Sequence, residues 1–275
     1  MDVKRLFKDK IALTGGVLLL AILIVALFAP LLSPHPPSRQ NVIDQLEGPS
    51  STYLLGTDQY GRDVLSRLLW ASRPSLFIGV SSILLALLGG LILGMTAGYY
   101  GGAVDHLLMR FADIVMSFPS LVLGLMIAVV LGGGMVNTTI AISITFVPRF
   151  ARLVRGSTVS VREEYYIEAE RAIGSSSLRI FSRHLLPNII GPIVVMSTLW
   201  VGQAIRVEAG LSFLGLGVQP PTPSWGTMLK AGMDNFLRAS HLATYPGLCI
   251  VAVVLAFNLL GDGLRDRLDP TLRGD

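Results

Sequence analysis

A single cysteine, Cys249, excludes an intrachain disulfide. The four histidines, His35, His106, His184 and His241, lie far apart, show no HExxH spacing and have no cysteine companion, so a zinc site has no support. No glycine run leads into Lys-Ser or Lys-Thr; the chain therefore lacks a GxxxxGK[ST] phosphate loop and cannot hydrolyse ATP alone. Ser212, Ser224 and the acidic residues form no visible nucleophile triad. Charge is scarce, at 15% of residues, and despite a net +4 no large basic domain exists to carry nucleic acid.

Apolar sequence is what the chain has in quantity: 52% of its 275 residues are hydrophobic. Uncharged runs occupy 11–34, 74–104, 114–148, 188–205 and 239–261, and a helix needs roughly 20 residues to cross a hydrocarbon core of roughly 30 Å. The third run is too long for one span and is divided by Gly132, Gly133 and Gly134, followed by Asn137, Thr138 and Thr139. The expected fold is an all-α polytopic membrane protein with six transmembrane helices near 11–32, 75–98, 107–131, 137–155, 188–209 and 243–261. The first follows Lys4, Arg5, Lys8 and Lys10, but its apolar stretch exceeds a signal-peptide core and reads as an uncleaved helix.

Six crossings place both termini on one side. That side carries fifteen of the 22 Lys and Arg residues, the opposite side six, and Arg206 lies within the fifth span. The positive-inside bias makes the rich side cytoplasmic. Two outer segments remain, about 33–73 and 210–242. In the first, Asp63 to Trp70 reads as a short separate helix, with Val64, Leu65, Leu68 and Leu69 on one face and Arg62 and Arg67 reaching headgroups. In the second, Pro220, Pro221 and Pro223 disfavour a helix and Trp225 suits an interfacial place.

A polar insert at about 156–187 interrupts the greasy chain on the inner side. A helix is expected over 159–173, with Tyr166, Ala169 and Ile173 on one stripe. Gly174 supplies left-handed backbone, and Ser175 to Ser177 supply capping hydroxyls. A second short helix carries Leu178, Phe181 and Leu185, and Leu186–Pro187 is expected to end it before span five.

Other residues invite narrower readings. Arg206 and Glu208 in span five stand two apart, so they do not share a helical face; they suit either a pathway or structural partners. Asp113 precedes Pro119, where span three can bend. Arg149, Arg152 and Arg155 fit anionic headgroups or a cytoplasmic partner. Gly90 and Gly94 form a small-xxx-small pattern that allows close helix approach. Met109, Met116 and Met126 lie on different faces of span three and read as packing residues.

Glu168, Ala169, Gly174, Leu186 and Pro187 stand at the spacing of the EAA motif of importer-type ABC permeases, which they resemble; Glu170 replaces the usual alanine. LGTDQYGRD at 55–63, MRFADIVMSFPSLVL at 109–123, LSFLGLGVQPPTPSWG at 211–226 and FNLLGDGLRDRLDP at 257–270 extend the resemblance. Together they are similar to the C-type permease subunit of dipeptide, oligopeptide and nickel importers. That resemblance implies a single permease domain over 1–275, with a core at about 75–262, in the bacterial inner membrane. It implies no cofactor on this chain, with ATP and Mg bound by two cytoplasmic ATPases. A homologous B-type permease and an extracytoplasmic solute-binding protein complete the assembly, with lipid around it and no nucleic acid. Glu168, Ala169, Glu170, Gly174, Ser175 and Leu178 are the implied ATPase-coupling residues. Dipeptides or short oligopeptides are preferred to nickel as cargo.

Overall fold

In the computed structural model the described residues, 10–268, are helical apart from loops and one isolated bridge between Thr57 and Asp63. The helices are α1 (Lys10–Leu32), α2 (Val64–Tyr100), α3 (Gly102–Met116), α4 (Ser120–Leu131), α5 (Met135–Arg162), α6 (Tyr165–Ala172), α7 (Ser177–Ile180), α8 (Leu186–Phe213), α9 (Trp225–Asp234) and α10 (His241–Leu268). Lys4, Arg5, Lys8 and Arg273, and the end of the 257–270 motif, lie outside the described residues.

Among the described residues, four helical stretches are long and apolar enough to span a membrane: α1, α2, the continuous stretch from Ser177 to Phe213, and α10. The count is five if α3 and α4 form one broken span. The helix expected over 107–131, with a bend at Pro119, is broken there into two helices at a corner of 91°. Pro119, which has no backbone N–H, stands at the N-cap of α4, and the Ser117 hydroxyl satisfies the carbonyl of Ile114 at 2.7 Å. Helix α5 has ample length, 28 residues, but is too polar for the same measure. Protein rather than lipid surrounds much of it. Phe146, Phe150 and Val154 are fully buried, and its hydroxyls bond back to their own helix, Thr139 to Met135 at 2.8 Å and Thr145 to Ile142 at 2.7 Å.

Close contact between α2 and α5 organises the bundle. A Cβ on Gly90 would collide with Phe150, and one on Gly94 would lie 2.7 Å from the Val154 Cβ. The small-residue pattern of α2 thus marks a real interface. Phe150 meets Trp200 of α8 edge-to-face at 4.5 Å, which brings α8 into the same core.

Asp63 caps α2 by accepting the Ser66 N–H at 2.9 Å, and the helix then runs unbroken through Pro74 for 37 residues. The expected short outer helix at 63–70 is therefore the first two turns of α2. Its arginines do not reach headgroups: Arg62 pairs with Asp58 at 2.7 Å, and buried Arg67 donates to the Pro37 carbonyl at 3.0 Å. Trp225 is likewise buried, not interfacial, and its indole N–H donates to the Leu68 carbonyl at 3.2 Å. After Pro223 the chain does form a helix, α9, closed by a reciprocal Ser224–Thr227 capping box.

Candidate coupling site

The insert rests on a second hydrophobic core at the C-terminal ends of α2 and α5 and the N-terminal end of α8. Ile167, Ile180 and Leu185 are fully buried there with Met95, Val154, Ile189 and Ile193. Arg162 fastens the last turn of α5 by donating to the Gly98 carbonyl at 3.0 Å, and the Arg171 guanidinium covers the Tyr99 ring at 4.4 Å. The helix expected over 159–173 is two helices: residues through Arg162 continue α5, and α6 starts after Glu163 and Glu164. The buried stripe also differs, because Ile167 faces inward while Ile173 and Leu178 are 76% and 77% exposed.

Gly174 adopts φ +80°, and the turn around it has both bonds of a Schellman motif. The Ser175 N–H bonds to the Glu170 carbonyl at 3.0 Å, and the Gly174 N–H to the Arg171 carbonyl at 3.0 Å. Ser176 then caps α7, accepting the Arg179 N–H at 3.4 Å. Glu170, where the resembled motif has alanine, ties the two halves of the insert. Its carboxylate accepts the Ser175 hydroxyl and stands 3.4 Å from His184 Nε2. The Ser175 hydrogen bond, with the charges of His184, Arg179 and Arg183, holds the Glu170 carboxyl below the usual carboxylate range.

Leu186 and Pro187 do not end a helix. The backbone passes from α7 through a π-helical turn, Phe181–Leu185, directly into α8. Leu186 N–H bonds to the Phe181 carbonyl, and the wider turn admits the ring of Pro187 in the first turn of α8. The second half of the insert is thus continuous in backbone with a bundle helix. Tyr165, Glu168, Ala169, Ile173 and Leu178 are exposed on the insert.

Three further expectations find partners inside the chain. Arg152 pairs with Asp113, Arg155 binds Asp105 through two bonds of 2.5 Å, and Arg149 donates to Gln203 at 2.9 Å, so these arginines bind neighbouring helices and not headgroups. Glu208 is fully buried and accepts the Ser212 hydroxyl at 2.7 Å, while Arg206 is exposed on another face. Ser212 in turn accepts the Val218 N–H at 3.3 Å, so Glu208 underlies the 214–224 loop. Pro119 is a corner residue, distant in sequence from the insert. Among the described residues no group of three His, Cys, Asp or Glu side chains converges as a metal site. The internal role of Glu170 and the continuity of α7 with α8 were missed by sequence reasoning; the His184 position, a possible carboxylate partner, was the available signal.

The inner membrane component family of binding-protein-dependent transport systems matches residues 90–274, and the N-terminal TM domain of oligopeptide transport permease C matches residues 2–49. A glutathione transport system permease protein, GsiD, of Pectobacterium atrosepticum is 42% identical over 98% of this chain and 90% of its own length. A dipeptide transport system permease protein, DppC, of Alkalihalophilus pseudofirmus is 43% identical over 98% and 89%. A di/tripeptide permease protein, DppC, of Pseudomonas aeruginosa is 45% identical over 96% and 89%. The fold is similar to an inward-facing MetNI methionine ABC transporter, with a TM-score of 0.58 at 18% identity over 75% of this chain and 96% of that one. The chain belongs to the binding-protein-dependent inner membrane component family, as a C-type permease subunit.

Proposed function

We propose that this permease subunit imports short peptides, using the insert as its contact with a cytoplasmic ATPase. Its partners are a homologous B-type permease, two ATPases that bind ATP and Mg, and an extracytoplasmic solute-binding protein. The observation that carries the reading is the exposed apolar surface of Tyr165, Ile173 and Leu178, held on a buried base and continuous with α8. An apolar surface outside the lipid calls for a protein to cover it. Glu168 and Ala169 lie exposed on the same surface, Gly174 sets its turn, and Glu170 and Ser175 brace it.

Nucleotide-driven closure of the ATPases draws the insert inward, and the continuous α7–α8 rod moves the bundle between two accessible states. Six crossings, made by α1, α2, the α3–α4 pair, α5, α8 and α10, put the insert and both termini in the cytoplasm. The Lys/Arg asymmetry supports this arrangement. Maleimide labelling of Ser176→Cys in a Cys249→Ser background, in sealed, right-side-out vesicles, tests it; labelling from outside overturns the topology.

Substrates of two or three residues are the class named for the relatives, which include glutathione, dipeptide and di/tripeptide systems. ATP-dependent vesicle uptake with the cognate binding protein, comparing a dipeptide, glutathione and nickel, tests the assignment. Nickel uptake without peptide uptake contradicts it.

A further inference from the structure

The first helix leaves an apolar crevice between itself and the bundle. Near its inner end α1 packs tightly: a Cβ on Gly15 would lie 2.6 Å from the Leu260 backbone nitrogen of α10. Farther along, Ile22 and Val25 diverge from Leu65, Leu69, Leu248 and Cys249 around a cavity of ≈ 390 Å³ with almost wholly apolar walls. Water gains too few partners in such a space, and a bilayer offers acyl chains on every side.

A cation adjoins the wall of this crevice: Arg73 follows Ser72, and its partner Ala26 follows Val25, both of which line it. Pro30 lies inside α1 and has no N–H, so it leaves the carbonyl of Ala26 without its helical donor. Arg73 of α2 supplies the missing bond, its Nε donating to Ala26 O at 2.9 Å. The guanidinium lies 5.2 Å from the centre of the Trp70 ring and the residue is exposed. No carboxylate pairs with it among the described residues, and the buried Trp70 Nε1 has no acceptor there. Ala26 is six residues from Leu32, about 9 Å along the helix, a depth an arginine side chain spans in reaching toward headgroups. An unpaired cation on a spanning helix calls for an anion, and phosphate oxygens match its remaining donors.

We propose that the α1–α2–α10 seam is a phospholipid site, with an acyl chain in the crevice and the phosphodiester against Arg73. The lipid belongs to the leaflet on the side of residues 33–63, the outer leaflet under the topology above; the inference rests on that reading for the leaflet alone. The bound lipid fills the gap left between the close contacts of the first helix at Ala12 and Gly15 and those at Ala26 and Ala29.

Cys249 lines the crevice and is the only cysteine of the chain, so it reports occupancy. The assembled transporter is delipidated in dodecyl maltoside, and N-ethylmaleimide modification of the Cys249 peptide is followed by mass spectrometry. Phosphatidylglycerol and a diacylglycerol of identical chains are titrated in separate arms. The site predicts that both slow the reaction, phosphatidylglycerol at about fivefold lower concentration, the worth of one cation near an anionic lipid. Arg73→Gln removes that fivefold advantage and leaves diacylglycerol protection intact. Should that variant fail to assemble, the wild-type comparison decides alone. Unchanged Cys249 reactivity with phosphatidylglycerol, or equal protection by the two lipids in the wild type, overturns the proposal.

Discussion

Replacing Gly174 with valine separates conformational from steric effects in the insert. A Cβ at this position meets nothing within 4 Å, so crowding is excluded as a cause. The φ of +80° is the obstacle, because a β-branched residue resists left-handed backbone. Strain of this kind costs about 1–3 kcal/mol. The buried anchors Ile167 and Ile180 hold the two helices in place, so relief comes from opening the turn and losing the Ser175–Glu170 and Gly174–Arg171 backbone bonds. A shift of that size changes the ratio of closed to open turn by about five- to 150-fold. Gly174→Asn tolerates the left-handed region and is expected to fall close to wild type, with alanine between the two. The assay is peptide uptake per ATP hydrolysed in proteoliposomes, normalised to membrane abundance. A decline in coupling in the order Asn, Ala, Val is expected. A well-expressed Gly174→Val transporter with wild-type coupling refutes the reasoning.

Glu170 gives a pH-dependent prediction. Its carboxyl is held below its unfolded value, so the bracing it supplies is complete above the usual carboxylate range and is lost as pH falls through the depressed folded value. Amide exchange across residues 165–180, corrected for intrinsic rates, should show protection falling on acidification in wild type and little such change in Glu170→Ala; identical profiles contradict the brace. Gly90→Val drives a branched side chain into Phe150 and should destabilise the bundle by about 1–3 kcal/mol, as overpacking does; an unchanged melting temperature in detergent would deny the close α2–α5 contact. The Asp105–Arg155 pair is partly exposed and should contribute about 1 kcal/mol or less, so Arg155→Ala should melt close to wild type; a large drop would give the pair a weight its exposure does not support.

Legibility followed the range of the interactions. Apolar runs revealed α1, α2, α8 and α10, because lipid exposure demands long uncharged stretches irrespective of the neighbours. The Gly174 turn was legible because positive φ selects glycine locally. Arg152 and Arg155 were read as meeting headgroups or a cytoplasmic partner because Asp113 and Asp105 stand 39 and 50 residues away, beyond any helical spacing rule. Proline was read well at one position and badly at another. At Pro119 a bend was expected and the chain turned a 91° corner; at Pro187 a stop was expected and a π turn carried the helix onward. Trp225 looked interfacial because its acceptor, the Leu68 carbonyl, belongs to a helix 157 residues away.

Site-specific photocrosslinking of the insert in the assembled, energised transporter tests its role most directly. A photoreactive amino acid at Ile173 or Leu178, both exposed, should form adducts with an ATPase subunit, whereas one at buried Ile167 should react within this chain. The Ile173 and Leu178 adducts should also change in yield when nucleotide is bound. Absence of ATPase adducts from both exposed positions, in a complex that still transports peptide, would contradict the account.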